Sequence, residues 1–148
     1  MIEMAIVGLG SWGLCVLERT VSRARRVGTS VRVHVIEPSQ LGGGAYATEQ
    51  PDFLVLNNAC GQLSLYAAPD GDALPPYAVG LHQWAVCCGY RLVGYECRIG
   101  ARGDPILPTD YLPRRLMGEY LMWFYDKLVA DAPPTSRSSG TTDRKSVV

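Results

Sequence analysis

Residues 4–37 constrain this chain more than any other stretch. They read MAIVGLGSWGLCVLERTVSRARRVGTSVRVHVIE. An apolar run, Met4–Val7, leads into Gly8-Leu9-Gly10-Ser11-Trp12-Gly13, and an amphipathic stretch and a β-rich run closed by Glu37 follow. The order is strand, glycine turn, helix, strand, acid, which is the layout of a βαβ unit that binds a dinucleotide. Gly8 allows a sharp exit from the strand, Gly10 lets a pyrophosphate approach the backbone, and Gly13 lets the helix pack close to the strand. Ser11 and Trp12 lie between them, where the helix N-terminus turns free N–H groups and partial positive charge toward phosphates. Glu37 is placed to accept hydrogen bonds from ribose hydroxyls and to repel a 2′-phosphate. Two other readings stay open at this point: a glycine-rich turn in an unrelated α/β protein, and an S-adenosylmethionine site, which uses a similar turn and acid.

The rest of the pattern predicts a strand over 2–8, a helix over 11–27 and a strand over 31–36. Leu14, Leu17, Val21 and Ala24 recur at helical spacing, with Glu18, Arg19, Arg23 and Arg26 mostly on the other faces. Gly28 is the natural stop. His34 shares a strand face with Arg32 and receives no role. Pro38 ends the second strand, and Gly42-Gly43-Gly44 follows as a hinge or a close approach to ligand. Phe53–Leu56 reads as a short buried run, and Asn57-Asn58 as a turn, one amide of which is free to bond a ligand. Tyr77–Cys88 reads as a helix with Leu81, Trp84, Ala85 and Cys88 on one face. Residues 90–108 show neither helical nor strand period, and Arg102-Gly103-Asp104 within them is a chance tripeptide. Tyr111–Val129 reads as a second long helix, with Pro113 in its first turn and Leu116, Tyr120, Trp123 or Phe124, and Leu128 on one face. Arg114 and Arg115 near its start oppose the helix dipole. They call for a compensating anion, either a carboxylate of the fold or a bound phosphate or acid, unless both extend into water.

Composition sets outer limits. The 148 residues are enough for one domain with a core, and the formal net charge is zero with no basic block, so no nucleic-acid partner is expected. No apolar run is long enough to span a membrane, no leader is apparent, and a cytoplasmic setting is expected. The five cysteines, Cys15, Cys60, Cys87, Cys88 and Cys97, contain no CxxC. Buried thiols in a reducing compartment are expected, with no metal site. Residues 133–148, PPTSRSSGTTDRKSVV, are polar and aperiodic. They are expected to be disordered, and the last six match the translation of a common sequencing-library adapter. The tail is therefore expected to be non-native, with the true reading frame continuing past about Ala132; a stop codon at the same place in unamplified DNA would refute this.

Taken together, GLGSWG, EPSQLGGGAYA, FLVLNN, the Trp84 helix and YLPRRLMGEYL resemble the N-terminal part of the bacterial FAD-NAD(P)-binding proteins, whose relatives include flavin-dependent monooxygenases that hydroxylate amino groups. The resemblance covers roughly residues 1–132. It implies an α/β, Rossmann-like FAD-binding domain, here its N-terminal part, with a mostly helical insertion. It implies FAD as cofactor, NAD(P)H as reductant in a longer parent, and a small-molecule substrate. Carried over by position, Gly8, Gly10, Ser11, Trp12 and Gly13 would face the FAD pyrophosphate, Glu37 the ribose, and Gly43, Gly44 and Asn57 would lie near the cofactor. Trp12 is bulky for a position that is usually small. The resemblance names no catalytic side chain. The rival activity, an NAD-dependent dehydrogenase, would need a pair such as Tyr-x-x-x-Lys, which is absent. A non-catalytic nucleotide-binding fragment is the third reading.

Overall fold

The computed structural model describes residues 2–37, 44–66, 78–131 and 145–147. The chain divides into two compact units, Met1–Leu41 with Leu121–Val148, and Gly42–Tyr120.

In the first unit β1 (Ile2–Val7) and β2 (Val31–Ile36) run parallel, Ile2 opposite Val31 and Val7 opposite Ile36. Parallel neighbours require a crossover, and α1 (Ser11–Val27) supplies it. Leu14, Leu17 and Val21 are buried, and the helix packs on both strands. Strand alternation sends Val33 and Val35 into the same core. Gly28 stops α1 in the left-handed region at φ 65°, with its N–H directed back to the last helical carbonyls. These elements lie where the sequence pattern puts them, except that β1 ends at Val7, not residue 8.

One helix position reads differently. Glu18, expected on an outer face, is 2 % exposed. Its carboxylate accepts from Ser22 Oγ at 2.6 Å, one turn on, and from Arg19 Nε at 2.6 Å. Paired in this way, a carboxylate can enter an interior that would reject it alone.

Of the tail, Lys145–Val147 is described, and it forms β6, antiparallel to β2, in a sheet of order β1-β2-β6. The later helix, α3 (Arg114–Asp131), begins in the second unit, and from Leu121 onward belongs to the first. Its predicted face is confirmed: Leu116, Tyr120, Phe124 and Leu128 are buried, joined by Met117, Leu121 and Tyr125. Pro113 stands just before the helix, in an isolated bridge with Val55, because the Arg114 N–H is taken by Leu54 O at 2.7 Å.

The second unit departs further from expectation. Residues 90–105, expected to be irregular, form a three-stranded antiparallel sheet of order β4-β3-β5. Its strands are β3 (Tyr90–Val93), β4 (Glu96–Ile99) and β5 (Asp104–Pro105). Strands of two to four residues are too short to show a period. The legible signal was the two-residue Gly94-Tyr95 link between β3 and β4, which suits a hairpin. So the segment expected to be mostly helical carries, among its described residues, this sheet, two 3₁₀ turns (Gly44–Tyr46 and Cys60–Gln62), the seven-residue α2 (Leu81–Cys87) and the start of α3.

Two further expectations change. Of the run Phe53–Leu56 only Leu56 is buried; Phe53 is 75 % exposed. The run starts in a turn, with Leu54 N–H bonded to Pro51 O at 3.0 Å, and leaves Phe53, Leu54 and Val55 exposed; only at Leu56, whose N–H bonds Leu112 O at 2.9 Å, does the chain enter the core. Likewise, only Cys60 and Cys97 are buried thiols; Cys15 is half-buried, and Cys87 and Cys88 are exposed. α2 buries Leu81, Trp84 and Ala85, and its C-terminal end projects outward. Trp84 is a core residue, its ring 5.9 Å from that of Tyr90 and 5.6 Å from that of Tyr120, whose hydroxyl donates to Val79 O at 2.6 Å.

Candidate functional site

The β1–β2 ladder runs one residue past β1, where Gly8 N–H donates to Ile36 O at 2.8 Å. Gly8 then takes φ +86°, a conformation that L side chains rarely adopt. Leu9 turns inward, 2 % exposed, and anchors the loop. Gly10 caps α1 with no side-chain hydrogen bond, and Leu14 N–H closes the first turn onto Gly10 O at 3.0 Å. A Cβ at Gly13 would lie 2.1 Å from Gly8 O and 3.5 Å from Ile6 Cγ2, so only glycine lets the helix start this close to the strand. A Cβ at Gly10 would meet nothing within 4 Å, which leaves the outer side of the turn open.

Glu37 follows β2 directly. Its Oε2 accepts the Leu9 N–H at 2.5 Å, which ties the acid to the middle of the turn. A carboxylate so close to a helix N-terminus is favoured by the helix dipole. Sequence reasoning placed Glu37 at a ligand and missed this bond to the protein's own backbone. The acid therefore shapes the turn as well as presenting a carboxylate beside it. Ser11 is half-buried, whereas Trp12 is 86 % exposed and Val7, the last residue of β1, is also solvent-facing.

Gly8, Gly10, Ser11, Trp12, Gly13 and Glu37 thus gather at one end of the β1–β2 pair. Gly43 lies outside the described residues. Gly44 opens a 3₁₀ turn and Asn57 is an exposed residue in a bend, and both belong to the second unit. His34, given no role, is 2.6 Å through Nε2 from Glu3 Oε1. That hydrogen bond holds the Glu3 carboxyl below the ordinary carboxylate range.

The second unit holds a charged cluster that sequence reasoning did not assemble. Arg115 donates from Nε to Asp52 Oδ1 at 2.5 Å and from Nη2 to Asp52 Oδ2 at 3.1 Å. It also donates from Nη1 to Glu119 Oε1 at 2.8 Å and from Nη2 to Cys97 O at 2.5 Å. Cys97 N–H donates to Asp52 Oδ2 at 2.7 Å, and the Tyr90 hydroxyl donates to Glu119 Oε2. The Arg115 guanidinium keeps Asp52 below the ordinary range, and the Asp52 hydrogen bonds push Arg115 up. Burial, then the Glu119 bond, pushes Tyr90 up; burial pushes the Cys97 thiol up to about 11. Of the two anions weighed for Arg115, the carboxylate of the fold is the one present. Arg115 and Glu119 were readable as an i,i+4 pair, but Asp52, 63 residues away, was not. Arg114 lies instead over the Tyr46 ring, 5.5 Å from its centroid, in cation–π contact.

Among the described residues no helix is long and apolar enough to cross a membrane, and no group of three His, Cys, Asp or Glu is placed to hold a metal ion.

Comparison with known proteins adds the family. Residues 5–144 match the profile of the family described as FAD-NAD(P)-binding. Over 137 residues the chain is 31% identical to an L-aspartate N-monooxygenase (nitrosuccinate-forming) of Streptomyces davaonensis, covering 88% of this chain and 21% of that protein. Over 144 residues it is 31% identical to a protein of the same description from Streptomyces cremeus, with 89% and 22% covered. Over 137 residues it is 30% identical to the nitrosuccinic acid synthase npaA of Aspergillus oryzae, with 88% and 19% covered. The chain spans about a fifth of the length of these curated relatives.

Proposed function

This chain belongs to the FAD-NAD(P)-binding family, and from that premise we infer that it is the dinucleotide-binding front of a flavin-dependent N-monooxygenase. The observation that carries this reading is the turn fastened between β1, α1 and Glu37. An FAD pyrophosphate fits it: the N-terminus of α1 has no side-chain cap, and the space beside Gly10 is open where any larger residue would intrude.

In this reading the backbone N–H groups of Ser11, Trp12 and Gly13 bind the pyrophosphate, and Glu37 accepts from the adenosine ribose while Leu9 N–H fixes its orientation. The family pattern alone nominates Gly43, Gly44 and Asn57 as further cofactor residues. When bound, the flavin supplies the redox chemistry, taking electrons from NAD(P)H and passing one oxygen atom of O₂ to an electron-rich nitrogen. This chain's residues bind and orient; none is assigned as a proton donor or acceptor in the reaction. The names of the relatives support a small amino acid as substrate of the whole enzyme, with aspartate the first to try.

Residues 1–132 then form the front of a Rossmann-like domain into which residues 42–120 are inserted. The division between units supports the insertion. Five cysteines with no disulfide among the described residues support a reducing, cytoplasmic setting.

The test is spectroscopic. The purified chain, and the completed gene product beside it, are denatured and the supernatant's visible absorption is recorded. Released flavin supports the reading. A colourless protein that binds NAD or S-adenosylmethionine in a calorimeter would overturn it.

A further inference from the structure

Cys87 and Cys88 lie outside the turn, while partial burial, the neighbouring Cys87 and then Glu119 of the charged cluster push the Cys88 thiol up. Both thiols are exposed and free, Cys87 as the last residue of α2 and Cys88 as its cap. They stand at the knuckle between α2 and β3, just before Gly89. Neighbouring residues on a helix do not face each other, so a ligand that takes both thiols must draw these two exposed side chains together across the end of α2. Sulfur donors select soft, thiophilic elements. Among the described residues no cluster of three Cys, His, Asp or Glu completes a higher-coordinate shell, so a tetrahedral zinc site is not built here.

The spacing of the two residues narrows the ligand further. Neighbouring Cα atoms across a trans peptide lie about 3.8 Å apart, closer than the roughly 4.4–6.8 Å that a relaxed disulfide spans. The chain has no cis peptide here. A direct S–S bond would therefore strain the knuckle and disturb the Cys88 N–H bond to Trp84 O at 2.9 Å and the Gly89 N–H bond to Val86 O at 3.0 Å. An atom inserted between the sulfurs lets them stand farther apart and spares that backbone.

We propose that Cys87 and Cys88 form a vicinal dithiol site for a trivalent arsenical or a similarly soft, low-coordinate thiophile. With an organoarsonous acid the step is a double condensation. Each S–H exchanges with one As–OH, two S–As bonds form, two As–O and two S–H bonds break, and two waters leave. Arsenic stays trivalent, so no oxidant is needed.

The probe is phenylarsine oxide, hydrated in water to the arsonous acid, added to the reduced 148-residue chain and followed by intact mass and by competition with a coloured monothiol reagent. We expect one arsenical per chain, removed by a 1,2-dithiol and resisting glutathione. Cys87→Ser and Cys88→Ser should each weaken capture about a hundredfold, the loss expected when a two-point attachment becomes one-point, while Cys15→Ser should leave it unchanged. Equal thermal midpoints of the serine variants would establish that the exposed positions, not the fold, account for the loss. Absence of an adduct, or an adduct that survives in the double variant, would overturn the proposal.

Discussion

The glycine turn of the first unit and the Arg115 cluster of the second both gather polar groups, and they differ in what those groups face. Around Arg115 each charge meets its opposite inside the protein: Asp52 takes two guanidinium bonds and a backbone N–H, and Glu119 takes Arg115 and Tyr90. At the turn, the helix start carries no side-chain cap, the space at Gly10 is open, and Trp12 and Val7 face outward. A charge answered by the fold is a brace, whereas donors left at a helix start beside open space make a receiving surface. The contrast teaches that perturbed ionisation alone does not mark the site: the strongest shifts here belong to the brace.

The comparison breaks most sharply at Gly13. Gly13→Val would press side-chain carbon onto the Gly8 carbonyl, and such overpacking should cost about 3 kcal/mol; urea denaturation and flavin release should both register it. Arg115→Met should cost roughly 3 kcal/mol of stability, because two part-buried carboxylates lose their partner, yet leave flavin affinity of the folded fraction unchanged. A parallel drop in affinity would erase the distinction between brace and receiving surface. Glu37→Arg reverses the pattern: flavin binding should weaken by roughly 1.5–3 kcal/mol, about one to two powers of ten in Kd. Unchanged affinity would mean the acid serves the turn alone.

Acid and base titration sharpen the same contrast. Asp52 is depressed in the folded state, so its stabilisation is present above its unfolded value of about 3.9 and is lost as pH falls through the lower folded value. Cys97 is raised to about 11, so its share is full below about 8.5 and declines as pH rises through 11. Thermal midpoints should therefore fall between pH 8 and 11, on the order of the usual linkage effect, and Cys97→Ala should flatten that slope. The smallest effect is at Trp12. Trp12→Ala removes an exposed side chain and should move stability by no more than about 0.5 kcal/mol, checked by the same melting curve.

The first unit was legible because its information is local. Helical spacing in 11–27, alternation in 31–36 and the glycines between strand and helix are set within a few residues of one another, and the elements formed where those patterns lie. The second unit was not, because its strands are too short to show a period and its cluster joins Asp52 to Arg115 and Cys97 across the chain. Phe53 and Cys88 were misplaced for a related reason: apolarity says that a side chain can be buried, not which neighbour will cover it.

By itself, the sequence determined the strand–turn–helix–strand order and the residues that must be glycine, since those follow from backbone sterics and period. Tertiary structure alone decided that Glu37 holds Leu9, that Glu18 can lie inside, that Arg115 is answered by Asp52 and Glu119, and that the paired cysteines face solvent. Those outcomes depend on which distant groups meet. Hydrogen bonding and burial are paid in three dimensions, and no window of neighbouring residues contains the partner.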